Sequence, residues 1–128
     1  MRRLIVTEAD AANLSLLGSP AVRRILAHAT VVASDAVPSD VVTMNSRAVC
    51  RDLATGKRRL LSVVYPEDAN ENAGRISILT PGGLALFGAT AGQNIEWDHS
   101  DGHCCRMHVD AVVHQPEQDL RSLLIVRT

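Results

Sequence analysis

The sequence predicts an α+β fold in which a short N-terminal helical hairpin precedes an antiparallel β-sheet carrying one short helix. Two observations predict it. Apolar residues recur at helical spacing up to about residue 32, then alternate as in strands from Val41 onward. A turn-rich connector, Ser34-Asp35-Ala36-Val37-Pro38-Ser39-Asp40, lies between the two regimes. The division is therefore placed at 1–39 and 40–128.

Each element has its own signal. Thr7 reads as an N-cap, with Asp10 three residues later as in a capping box. A helix over about Glu8–Leu17 follows, broken by Gly18. Ser19-Pro20 gives a second cap with proline at the first helical position. Val22, Ile25, Leu26, Ala29 and Val32 form a 3.6-residue stripe, which predicts a helix over about Pro20–Val32. So tight a turn predicts an antiparallel hairpin, with the stripe as its seam; a second subunit is the alternative cover, so a homo-oligomer stays open.

Val42–Leu53 then reads as a strand, with Ala54-Thr55-Gly56 as its turn and Arg58–Tyr65 as the next strand, ended by Pro66. Glu67–Gly74 is a polar loop. Arg75–Leu79 is a third strand, stopped by Pro81-Gly82-Gly83, and Leu84–Phe87 suits a helical turn closed by Gly88. Gln93–Asp98 and His103–His114 form a hairpin around Ser100-Asp101-Gly102, with irregular alternation near Asp110 that predicts a bulge.

Composition narrows the function. The chain has 128 residues, a net charge of −1 and three cysteines. One Phe, one Trp and one Tyr make up its aromatic content. Three rings cannot build a base-stacking platform, and no basic field draws the chain onto phosphates, so direct nucleic-acid binding is disfavoured. No apolar run approaches the ~20 residues that span a bilayer. An odd cysteine number argues against a secreted disulfide framework, and the cytoplasm is the expected location.

Some 80 residues resemble a known family. Asp40-Val41-Val42-Thr43-Met44-Asn45-Ser46-Arg47 comes first, followed by Val64-Tyr65-Pro66-Glu67. Then come Ile78-Leu79-Thr80-Pro81-Gly82-Gly83-Leu84-Ala85-Leu86-Phe87-Gly88, Gly92, Ile95-Glu96-Trp97 and Gln115-Pro116-Glu117. In this order and spacing they resemble the regulator of nucleoside diphosphate kinase (Rnk) family, which belongs with the bacterial transcription elongation factors GreA and GreB. The resemblance covers about residues 40–119; over the first 39 only the helical-hairpin layout is shared.

The resemblance implies an FKBP-like C-terminal domain that docks on the rim of the RNA polymerase secondary channel. It implies contact through Leu79, Thr80, Pro81 and Gly82. Gre factors often carry an acidic or polar residue two positions before the proline; Leu79 stands there in this chain and cannot salt-bridge a basic rim helix. In Gre factors two carboxylates at the tip of a long hairpin help hold a catalytic magnesium. The expected tip here, Leu16-Leu17-Gly18-Ser19-Pro20, has none, whereas magnesium needs hard oxygen ligands. A helix of this length also reaches only roughly 15–20 Å. The expectation is a polymerase-binding regulator that does not stimulate transcript cleavage, is not an enzyme and needs no cofactor.

Other readings are weaker. A prolyl isomerase would need a pocket lined by several aromatic rings, and Thr55-Gly56-Lys57 lacks the glycine spacing of a phosphate loop. A regulator acting on nucleoside diphosphate kinase outside transcription is the remaining alternative. His99, His103, Cys104, Cys105 and His108 suggest zinc by type. However, neighbouring strand residues face opposite ways and the spacing fits no CxxC site, so no metal is expected. Lys57-Arg58-Arg59 and Arg23-Arg24 read as solvated charge. The apolar Leu120–Val126 segment is expected to pair with a sheet edge.

Overall fold

The structure is a computed structural model that describes residues 4–98 and 101–118. The chain opens with strand β1, Ile5–Thr7, and passes directly into helix α1, Glu8–Ser15. Thr7 caps α1 by accepting from the Asp10 backbone N–H at 3.1 Å. Gly18 turns the chain at φ +68°, and Ser19 caps helix α2, Pro20–Ala27, by accepting from the Val22 N–H at 3.3 Å.

Helix α2 is shorter than expected. It stops at Ala27, and Thr30–Val32 forms strand β2, paired parallel to β1 with Val31 opposite Val6. Val31-Val32 is β-branched, and such side chains fit a strand better than a helix. The hairpin is thus closed at its base by a two-stranded parallel sheet. The α2 stripe packs inward: Val22 is buried in the core that also holds Val6, Leu14, Leu61 and Ile78, with Ile25, Leu26 and Ala29 packed against it.

The second half is a five-stranded sheet in the order β5-β4-β3-β7-β6. Its strands are β3 (Arg47–Asp52), β4 (Arg58–Val64), β5 (Arg75–Ser77), β6 (Asn94–Asp98) and β7 (Cys104–His114). The expected strand start at Val42 is corrected to Arg47. Thr43–Ser46 instead forms a turn, buried except at Asn45, in which the Thr43 N–H donates to Ser46 Oγ at 2.9 Å and Asn45 takes φ +66°. Alternation places Ala48, Cys50, Leu61, Val63 and Val109 on one face, all buried.

Strand β5 lies parallel to β4, in register Ser62 with Arg75. This is a departure from a wholly antiparallel sheet. The loop between them folds as two short 3-10 turns, Pro66–Asp68 and Glu71–Ala73, and carries the chain back to the start of a parallel neighbour. The register of β7 against β3 shifts twice: opposite Val49 and Cys50 the partners are Ala111 and Val109, leaving Asp110 as the extra residue where alternation failed, and opposite Arg47 and Ala48 they are His114 and Val112, leaving Val113 extra.

Helix α3, Pro81–Leu86, crosses the buried face of the sheet. Pro81-Gly82-Gly83 was expected as a strand-ending turn and is its first turn. Thr80 is the cap: its Oγ1 accepts from the Gly83 N–H at 3.1 Å and donates to the Ser77 carbonyl at 2.7 Å. Thr80→Ala should therefore cost about 1 kcal/mol, read as a lower urea midpoint at unchanged slope. Phe87, Leu86 and Ile78 then close the core.

Among the described residues, no helix is long and apolar enough to cross a membrane. The Leu120–Val126 segment and His99 lie outside the described residues.

Candidate functional site

The N-terminal end of α3 opens onto a cleft of about 240 Å³ on the same face of the sheet. Its floor is apolar: Leu61 from β4, Ile76 from β5, Trp97 from β6 and Met107 from β7. Arg59, Glu71 and Asp98 stand at its rim. Thr80, Pro81 and Gly82 form one lip. Pro81 is exposed and Gly82 is buried.

Close packing explains both glycines of the lip. A Cβ on Gly82 would lie 3.2 Å from the Trp97 indole, so the ring seats directly on that backbone. A Cβ on Gly83 would lie 2.0 Å from the Ser77 carbonyl oxygen, a backbone atom that cannot swing aside. The two glycines allow α3 to approach β5 and the Trp97 ring closely, which sets the height of the lip.

Of the four residues singled out from sequence, the structure gathers Thr80, Pro81 and Gly82 on the cleft wall. Leu79 precedes the lip in the chain and is 46% exposed, an apolar side chain turned to solvent and not part of the cleft wall. Sequence reasoning missed the floor itself. The signal available was the single tryptophan, at a position that alternation places on the inner face.

The rim is fixed by the loop between β4 and β5: the Arg59 guanidinium donates to the Glu71 carbonyl at 3.3 Å. Arg58 turns to the outer face, where Asp110 lies 3.2 Å from its Nε and 3.7 Å from Arg51. His108 Nδ1 donates to Asn94 Oδ1 at 2.7 Å. Cys104 and Cys105 project to opposite faces, opposite Asp98 and Trp97. Among the described residues no three His, Cys, Asp or Glu groups converge as metal ligands. The Cys50 thiol, buried beneath the sheet, is pushed up to about 11 and is no nucleophile.

A second cluster joins the helical hairpin to the sheet. Asp10 is only 8% exposed and accepts from the Met44 backbone N–H at 3.1 Å. Glu117 is equally buried and accepts from the Thr43 hydroxyl at 2.7 Å. Burial, chiefly, and the neighbouring Glu117 charge push the Asp10 carboxyl up to about 6, against hydrogen bonds from Met44 and Thr7. Gln115 completes the tie by donating to the carbonyls of Pro38 and Val41 at 2.8 and 2.9 Å. The role of Asp10 therefore extends beyond the capping-box position expected of it: it connects α1 to the turn before β3.

The hairpin tip is apolar. Leu16 is 84% exposed, and the acidic residues of α1, Glu8 and Asp10, lie in its first turn at the opposite end. Eight-residue helices reach about 12 Å.

An α+β chain with a helical hairpin on a curled sheet, and a proline-started helix beside an apolar cleft, defines a structural class shared with bacterial transcription factors. The family described as "Transcription elongation factor, GreA/GreB, C-term" matches residues 37–112, more than half of the chain. The chain belongs to the GreA/GreB family. It is 32% identical over 124 residues to "Regulator of nucleoside diphosphate kinase" of Escherichia coli K12, covering 89% of this chain and 91% of that protein; the Shigella flexneri protein of that name matches equally. Among solved structures it is similar to "Prokaryotic transcription elongation factor GreA/GreB from Nitrosomonas europaea", at 32% identity and TM-score 0.75, covering 89% of this chain and all of that one. GreA factor homolog 1 of Thermus thermophilus shares the fold, at 19% identity and TM-score 0.51, covering 87% of this chain and 99% of that one.

Proposed function

We propose that this protein is a cytoplasmic, non-catalytic regulator that docks on RNA polymerase at the secondary channel rim. The observation that carries the reading is the cleft beside α3. It lies within the family-matched residues 37–112, and its lip is the Thr80–Gly82 segment that resembles the polymerase-contacting loop of Gre factors. An apolar floor with Arg59, Glu71 and Asp98 at its edge suits the end of a helical partner that buries one apolar side chain and pairs charges around it. Exposed Leu79 beside the lip supports apolar contact in place of an ion pair.

In this reading residues 40–128 grip the polymerase and residues 1–39 face the channel. The hairpin tip presents Leu16 and no carboxylate, so the bound protein occupies the channel mouth without supplying magnesium ligands. It competes with GreA for the rim and leaves transcript cleavage unstimulated.

The test is capture of purified RNA polymerase core, with Pro81→Asp as the control. Pro81 is exposed at the first position of α3, where an acidic residue complements the helix dipole, so the fold should survive. The expected loss is about tenfold or more in affinity, because a charge at the lip must be desolvated on docking. Absence of micromolar binding by the wild-type protein would remove the reading. Cleavage stimulation by the pure protein would refute its non-catalytic half. The relatives named for regulation of nucleoside diphosphate kinase give a second reading, direct contact with that kinase, which the same capture experiment resolves when the kinase replaces the polymerase.

A further inference from the structure

The outer face of the sheet, opposite the α3 cleft, carries a separate depression of about 340 Å³ over β3, β4 and β5. We propose that it is an anion site for the phosphate group of a small phosphorylated ligand, held by Arg47, Arg75, Ser62 and Asn45.

The register builds it. Arg47, Ser62 and Arg75 are cross-strand partners in one row over three adjacent strands, so their side chains rise from the same face. Two strand spacings put the outer Cα atoms about 10 Å apart. The short Ser62 side chain between them leaves a slot flanked by two guanidinium groups, with a hydroxyl at its base. Asn45 borders the slot and is held in the left-handed region at φ +66°, its N–H donating to the Val63 carbonyl at 2.8 Å. Leu60, 48% exposed, walls one side.

Charge separates this slot from the rest of the face. Arg51 and Arg58 both lie within 4.0 Å of Asp110, whose single carboxylate offsets part of their charge, and His108 borders the same carboxylate. No carboxylate among the described residues reaches that distance from Arg47 or Arg75. No acidic residue lines the slot; Glu67 and Asp68 border an adjoining depression that shares Asn45, Val64 and Arg75 with it. Arg75 is also aimed: its Nε donates to the Asp68 carbonyl at 3.0 Å, which fixes the guanidinium plane and leaves its terminal nitrogens available. Paired arginines of this kind suit the forked hydrogen bonding of a phosphate group.

A small ligand fits better than a nucleic acid. The slot itself is lined by two arginines and by no aromatic ring on which a base could stack. The site lies on the face opposite the α3 cleft and does not depend on the polymerase reading.

The test is a titration of the isotopically labelled protein with inorganic pyrophosphate at low ionic strength, followed by amide NMR shifts. Saturable shifts confined to Asn45, Arg47, Leu60 to Ser62, Gly74 and Arg75 are expected. Arg47→Gln, an exposed side chain, should weaken binding by about tenfold or more, since a charged hydrogen-bond partner is lost. Arg58→Gln, on the same face but paired with Asp110, should leave the affinity nearly unchanged. Adenosine diphosphate then distinguishes the carrier: tighter binding with added shifts at Leu60 indicates a nucleotide, and equal binding indicates the phosphate group alone. Non-saturating shifts, or equal loss in both variants, would overturn the site as general charge screening. Tighter binding of a short single-stranded oligonucleotide, with shifts spread beyond the slot, would overturn the small-ligand assignment.

Discussion

Gly83→Ala should destabilise the protein by about 3 kcal/mol and abolish whatever partner contact the α3 lip makes. The added Cβ would lie 2.0 Å from the Ser77 carbonyl oxygen and 2.9 Å from the Ile78 Cα, both backbone atoms. Relief requires α3 to lift from β5, because no side chain can rotate out of the way. Lifting α3 strips Leu86 and Phe87 of core contacts, and overpacking of this kind costs about 1–3 kcal/mol or more. The same movement carries Pro81 away from Trp97. Urea unfolding measures the first effect, and Trp97 fluorescence reports the second directly, being the signal of the single tryptophan. Gly82→Ala is the internal comparison: its Cβ would meet only the indole, at 3.2 Å, and a ring can shift. A Gly83→Ala variant as stable as the wild type would show that the helix and strand are not in contact as described.

Stability should rise as the pH is lowered from about 6 toward 4, opposite to the usual acid response, to the extent that Asp10 governs it. Its folded value of about 6 lies above its ordinary value of 3.8, so the folded state binds the proton more readily than the unfolded chain. Across that window unfolding releases a proton, and stability falls as pH rises; above about 6 both states are ionised and the dependence on this group ends. The shift corresponds to a penalty of roughly 3 kcal/mol at neutral pH. Asp10→Asn keeps an oxygen for the Met44 N–H and removes the charge that faces Glu117. It should raise the urea midpoint at pH 7 and flatten the slope between pH 4 and 6. An unchanged slope in Asp10→Asn would assign the dependence to another group.

Local chemistry was the legible part of this sequence. Thr7, Ser19-Pro20 and Gly18 marked the helix starts and the tip because capping acts over three residues. Asp110 disclosed the bulge because one extra residue breaks alternation at that point. Thr80-Pro81 carries the same capping signal, but Gly82-Gly83 masked it; those glycines reflect helix-to-strand contact, which local pattern does not record. Strand β2 was hidden because Val32 continues the spacing of Val22, Ile25 and Ala29, and only pairing with β1 decides between the two. The parallel placement of β5 and the meeting of Leu61, Trp97 and Met107 on one floor are long-range events. Alternation gives the face of each strand, and sheet order decides which strands share a site. The Asp10–Met44 and Glu117–Thr43 bonds span 34 and 74 residues, beyond any local pattern.

The parallel pairing of β1 with β2 has a consequence for how such a molecule changes its reach. Both legs of the helical hairpin return to one anchored foot, and Asp10 fastens that foot to the sheet. Only Leu16 to Ser19 lie between the legs. Whole turns added on either side of Gly18 would lengthen the arm without moving the foot or the sheet. The length of the arm and the surface of the sheet are thereby independent variables in this architecture: one can be stretched, shortened or re-tipped while the other is left unchanged.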